Sequence, residues 1–67
     1  MHSLADLRAG RLAGARHLKL SGGLTGFPPE IFSLADTLEI LDLSGNRLTS
    51  LPDELPCLRR LRILFCS

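Results

Sequence analysis

The stretch LEILDLSGNRLTSLP, residues 38–52, decides how this chain is expected to fold. Its five leucines stand at positions 38, 41, 43, 48 and 51, and a single asparagine, Asn46, stands between the third and the fourth. Leu41 and Leu43 alternate with other residues, and a period of two predicts a short strand whose two leucines point the same way.

The same arrangement recurs along the chain. HLKLSGGLTGFPPEIFSL, which precedes the stretch, matches it in two blocks: residues 18–22 correspond to residues 41–45, a shift of 23, and residues 24–34 correspond to residues 48–58, a shift of 24. A third copy begins with Leu61. A repeat of this length predicts stacked copies of one supersecondary unit.

The repeated unit resembles the short, Leu-Pro-containing class of leucine-rich repeats, whose pattern is L-x-x-L-x-L-x-x-N-x-L. The resemblance covers residues 15–67 and implies an α/β solenoid with an N-terminal capping helix, short parallel strands, about two full repeats and the start of a third. The expected divisions are a cap at 1–14, the first repeat at 15–37, the second at 38–60 and the start of the third at 61–67.

Parallel stacking of the copies predicts which side chains meet in the core. Each strand would place its inward residues on those of the neighbouring strand, about 4.8 Å away. Cys66 occupies a leucine position, which predicts a reduced, buried thiol. The residues expected to have this structural role are Leu18, Leu41 and Leu64 in one column, and Leu20, Leu43 and Cys66 in the other.

Asn46 is expected to be structural. A turn that follows a buried strand leaves backbone groups facing the interior, and a short amide carries both a donor and an acceptor for them. In the family that the chain resembles, such asparagines form a ladder along the turns. The first copy has Gly22-Gly23 at this place, so its turn must differ.

The segments outside the strands are predicted to be short. Ser3 and Asp6 form an S-x-x-D capping box, which predicts a helix over residues 3–10 that covers the first repeat. The proline-containing segments at 28–34 and 52–58 are predicted to be loops or single helical turns, because proline lacks the N–H that a central strand needs.

The residues of the strands that point away from the core form the candidate binding surface. Three large apolar side chains exposed together on a concave sheet suggest a contact with a protein partner or with another part of the same protein. Arg16, Glu39 and Arg62 flank this surface and predict a cross-strand charge ladder. The surface comprises His17, Lys19, Ile40, Asp42, Ile63 and Phe65.

Composition argues against several other functions. The net charge of +1 gives no electrostatic footprint for nucleic acid or for an anionic membrane, and the Arg59–Arg62 cluster is interpreted as a solvated face. Two cysteines without a framework pattern argue against a disulfide, and neither they nor His2 and His17 have metal-ligand spacing, so no metal, cofactor or catalytic residue is predicted. With no export signal and no apolar span of about 20 residues, the expected location is the cytoplasm.

A closer resemblance carries an alternative function. The segment from Leu12 to Ser67, notably FPPEIFSLADTLEIL and the final FCS, is similar to the N-terminus of bacterial proteins that join leucine-rich repeats to a protein kinase domain. The resemblance implies that this chain is a fragment, a recognition or regulatory part of a signalling enzyme. ATP-dependent phosphoryl transfer would then lie outside these residues, because none of the kinase motifs is present in them.

Overall fold

The computed structural model describes residues 3–66. Helices and strands alternate along the chain, and each is short. The elements are α1 at Leu4–Arg8, β1 at His17–Lys19, a first 3₁₀ helix at Pro29–Leu34, β2 at Ile40–Asp42, a second 3₁₀ helix at Leu55–Cys57, and β3 at Ile63–Phe65.

The three strands form one parallel sheet in the order β1-β2-β3. Leu18 pairs with Leu41, and Leu41 pairs with Leu64, so the central residues of the three strands form one column. The outer residues pair in the same register, His17 with Ile40 and Ile63, and Lys19 with Asp42 and Phe65. This register is the one that the shift of 23 residues predicts.

The core lies on the inner side of this sheet. Leu18, Ile31, Leu38 and Leu41 are fully buried, and burying one leucine stabilises the fold by about 1.5–3 kcal/mol relative to exposure. A single cluster joins residues from every part of the described chain, so the sheet, the helices and the returning segments share one core. Its buried members are Leu7, Leu18, Leu20, Ile31, Leu34, Leu38, Leu41, Leu43 and Leu58.

Helix α1 begins at the predicted cap. The Ser3 hydroxyl accepts a hydrogen bond from the backbone N–H of Asp6 at 3.1 Å, which satisfies one of the free donors at the helix start. The helix ends at Arg8, and Gly10 follows with a φ of +77°, a conformation that costs glycine little. Leu7 is buried in the core, and α1 contacts the first 3₁₀ helix.

The returning segments are 3₁₀ helices. The second one has three residues, the single turn that the sequence predicts, whereas the first has six residues and makes two turns. Pro29 begins the first helix, at a position whose N–H would have no partner within the helix. Ile31 and Leu34 are the buried residues of this helix.

The prediction of an α/β solenoid is wrong. The chain forms one small compact unit with extents of 26 × 23 × 16 Å, and no stack of about two and a half separate repeats is evident. The shift of 23 residues correctly gives the strand register, but it carries no information about overall shape. Since the helix, the strands and both returning segments meet in one cluster, the predicted repeats do not form separate layers.

Candidate binding face

The outward face of the sheet consists of the strand residues that flank the buried column. In β1 the two outer residues are exposed and the middle one is buried, and in β2 the outer residues are half-buried around buried Leu41. In β3 the outer residues are exposed and Leu64 is half-buried. The structure therefore brings the six predicted surface residues together: His17, Lys19, Ile40, Asp42, Ile63 and Phe65.

The face is apolar at its β3 end. Ile63 is 44% exposed and Phe65 is 50% exposed, and Ile40 lies half-buried beside Ile63. Leu51, at 37%, is the other large apolar side chain among residues 3–66 with comparable exposure, and it lies outside the sheet. The apolar part of the face is thus concentrated on one edge strand.

The face is polar at its β1 end. His17 and Lys19 are exposed, and Lys19 pairs in register with Asp42. The Asp42 carboxylate accepts a hydrogen bond from the backbone N–H of Ser44 at 2.9 Å. That bond lowers the pKa of Asp42, and the Ser44 hydroxyl and the positive charge of Lys19 lower it further. Asp42 is therefore held in its ionised form and braces the turn after β2.

The charge ladder beside the face is only half formed. The Arg16 guanidinium lies 3.7 Å from the Glu39 carboxylate. Arg62, the third predicted member, makes no ion pair with any residue between 3 and 66. An exposed pair of this kind contributes about 0–1 kcal/mol, so the ladder contributes little to stability.

Asn46 braces two turns at once. Its side-chain amide donates to the carbonyl oxygens of Leu43 at 2.8 Å and of Leu20 at 2.9 Å, and its oxygen accepts from the N–H of Leu24 at 3.1 Å. Leu20 and Leu24 belong to the turn after β1. Gly22 and Gly23 have no side chain that could bond to the backbone of their own turn. The amide of Asn46 supplies those hydrogen bonds.

Cys66 is exposed, so the prediction of a buried thiol is wrong. The residue does occupy a leucine position in the repeat, but β3 is the edge of the sheet and no described strand covers it. Cys57 is also an exposed free thiol. Leu64, in the neighbouring inward column, is likewise only half-buried.

A basic cavity lies beside the face and was not predicted. It is open, has a volume of about 420 Å³ and is lined by Glu39, Arg59, Arg60, Leu61 and Arg62. The arginine cluster is visible in the sequence, where it reads as a solvated face. The predicted charge ladder also places Glu39 beside Arg62, but neither pattern predicts an open space between these side chains.

No group of three or more His, Cys, Asp or Glu side chains within 3–66 is arranged to hold a metal ion. His2, one of the candidate groups in the sequence, lies outside the described residues. None of the helices described here has the length and apolarity that crossing a bilayer requires.

Comparison with known proteins yields no matching protein-family model, no matching curated protein and no matching solved structure. The comparisons therefore assign no enzymatic activity to these 67 residues.

Proposed function

We propose that this chain is a protein-binding module and that its contact surface is the outward face of the sheet, centred on Ile63 and Phe65. The observation that carries the proposal is the exposure of these two side chains, 44% and 50%, on one face of one strand. Each loses about half of the 1.5–3 kcal/mol that complete burial would give it. A contact that covers both side chains recovers this free energy.

The composition of the face suits a protein partner. Protein interfaces have an apolar centre with aromatic side chains and a polar rim. Phe65 is the aromatic group of the face, and His17, Lys19 and Asp42 form its polar side. Aromatic side chains at the centre of an interface commonly carry a large part of the binding free energy.

Two further arguments support the proposal. The repeated segment resembles leucine-rich repeat proteins, and that resemblance implies binding of a protein through the exposed sheet. A cytoplasmic location belongs to the same proposal, because the thiols of Cys57 and Cys66 are unpaired and a reducing compartment keeps thiols in that state.

The proposal is tested by comparing two substitutions at exposed apolar residues. The tagged chain is used to capture partners from a lysate of its source cells, alongside Phe65→Ser and a matched control, Leu51→Ser, which removes an exposed apolar side chain outside the three strands. We expect the partner's affinity, measured by calorimetry on the recovered protein, to fall about ten-fold or more in Phe65→Ser. The Leu51→Ser chain should bind like the unchanged one.

Equal affinity of the two variants would overturn the proposal, provided that circular dichroism shows both variants folded. Sedimentation of the purified chain over a range of concentrations adds a second result. Self-association that Phe65→Ser abolishes would identify the partner as a second copy of the chain.

A further inference from the structure

The basic cavity beside the face contains more positive charge than the described residues neutralise. Three arginines and one glutamate are among the residues that line it. Arg59 lies 3.4 Å from Asp36, and Glu39 is paired with Arg16. The guanidinium groups of Arg60 and Arg62 make no ion pair with any residue that the structure describes.

The backbone beneath these arginines is fixed by hydrogen bonds. The N–H of Arg62 donates to the carbonyl of Glu39 at 2.7 Å, and the N–H of Leu61 donates to the carbonyl of Leu58 at 3.1 Å. Leu61 packs against the core, and Leu58 is buried in it. The guanidinium groups therefore extend from a fixed segment, which lowers the conformational entropy lost when they bind a ligand.

We propose that this cavity binds carboxylate groups of an acidic segment in the protein partner, with Arg60 and Arg62 as the groups that contact them. The inference rests on the proposed function, because it names the chemistry of the partner. A guanidinium matches a carboxylate with two parallel N–H···O bonds, a geometry that lysine lacks. Arg62 directly precedes Ile63, so the cavity adjoins the apolar end of the face.

The partner's recognised segment therefore combines two features. It carries acidic side chains for the cavity and apolar side chains for Ile63 and Phe65. Charges at the edge of an interface act mainly on association rate and on the choice of partner, while the apolar centre supplies most of the affinity.

Carboxylates fit the cavity better than a nucleic acid does. A nucleic acid needs basic groups spread along its backbone and a strongly basic surface, whereas the net charge of this chain is +1 and the cavity contains a carboxylate of its own. Arg60 and Arg62 provide unpaired positive charge for one or two carboxylates, which is less than the run of basic groups that a nucleic-acid backbone needs.

The test uses a short probe without apolar side chains, so that it reports on the cavity alone. The ¹⁵N-labelled chain is titrated with an acetylated, amidated tetraglutamate peptide and followed by two-dimensional NMR. We expect shifts at the amides of residues 59–62, and no such shifts with tetraglutamine. Raising the salt concentration to about 1 M shortens the Debye length to about 3 Å and should abolish the shifts.

Two variants assign the binding to the arginines. Arg60→Gln combined with Arg62→Gln should weaken binding of the tetraglutamate roughly five-fold or more. Arg47→Gln is the matched control, because Arg47 is also exposed and makes no ion pair with residues 3–66. It should change the affinity less than about two-fold.

Several outcomes would overturn the inference. These are shifts spread over the whole surface, equal effects of the double variant and Arg47→Gln, and a stronger response to inorganic phosphate or to a short oligonucleotide than to tetraglutamate. If the unchanged chain shows no response to tetraglutamate but still binds its partner in a Phe65-dependent way, the cavity proposal alone is overturned. If the chain responds to tetraglutamate as expected but partner capture does not depend on Phe65, the proposed binding face alone is overturned.

Discussion

The two edge strands of the sheet differ in what covers them. Leu18 of β1 and Leu20, which follows the strand, are buried, and the outward side chains of β1 are polar. On β3, the corresponding Leu64 is half-buried and Cys66 is exposed, while the outward side chains are Ile63 and Phe65. The same repeat position is thus buried in the core at one edge and open at the other.

This difference separates a structural edge from a contact edge. Beside the β1 edge, Leu20 is buried and its carbonyl accepts a hydrogen bond from the amide of Asn46. Ile63 and Phe65 turn their backbone groups toward β2, since Ile63 donates to Glu39 and Phe65 accepts from Leu43. Alternation along a parallel strand then turns the backbone groups of Leu64 toward the open edge. The β3 edge combines apolar side chains with free backbone groups, which favours contact with another protein.

The largest expected effect comes from truncating the inward column at each edge. Leu18→Ala removes a fully buried side chain from β1 and should lower the free energy of unfolding by about 2–5 kcal/mol. Leu64→Ala makes the same chemical change in β3, where the side chain is only half-buried, and should lower the free energy of unfolding by about 1 kcal/mol. Urea unfolding of both variants gives the comparison. Equal losses would mean that the two edges are equally packed.

The next effect concerns the turn that closes the β1 edge. Asn46→Ala removes three hydrogen bonds and leaves the carbonyls of Leu20 and Leu43 without their donor, at a cost of about 1–3 kcal/mol. Amide hydrogen exchange should quicken at Leu24, whose N–H loses its acceptor. Asn46→Asp keeps the acceptor for Leu24 and is the control. Unchanged exchange at Leu24 in Asn46→Ala would contradict the role of the amide.

A smaller effect is expected from the outward side chains of the two edges. Phe65→Ala should change the free energy of unfolding by about 1 kcal/mol or less, because half of the side chain is already exposed. Lys19→Ala, in the same cross-strand column, should also have a small effect. Thermal unfolding measures both. A decrease of several kcal/mol in the free energy of unfolding of Phe65→Ala would show that Phe65 stabilises the fold, which would contradict its role as a contact residue.

The smallest effect is a dependence of stability on pH through Asp42, on the polar side of the face. Because the pKa of Asp42 is lowered in the folded chain, its contribution to stability is present above the unfolded pKa of about 3.9 and is lost as the pH falls through the lower, folded pKa. Unfolding measured from about pH 6 to about pH 2.5 should show this loss in the unchanged chain and a smaller loss in Asp42→Asn. The same loss in both chains would assign it to other carboxylates, such as Glu30, whose pKa is also lowered.

Much of the local structure follows from the sequence. The shift of 23 residues predicts the pairing of His17 with Ile40 and of Ile40 with Ile63. When strands recur at a constant interval, only one parallel register buries the leucines of all of them. The S-x-x-D box predicts the start of α1, because the Ser3 side chain accepts from the N–H of Asp6, a donor only three residues away in sequence. These features depend on neighbours in sequence or on one repeated offset.

The remaining features depend on the assembled chain. The solenoid was a wrong prediction because periodicity describes adjacent copies and says nothing about how a few short elements share one core. The apolar repeat position of Cys66 predicts burial, yet burial there depends on whether a neighbouring strand covers β3. The sequence predicts Glu39 beside Arg62, but the open space that these residues line with Arg59, Arg60 and Leu61 depends on the assembled chain. The kinase alternative stays a prediction.

The central claim is that a protein partner binds at the β3 end of the outward face. Its most direct measurement is an NMR footprint of the recovered partner on the ¹⁵N-labelled chain. The account predicts that the amides of residues 62–66 shift and become protected from exchange, while those of residues 17–19 change little. A footprint centred on β1 or on the 3₁₀ helices, with residues 62–66 unaffected, would contradict it.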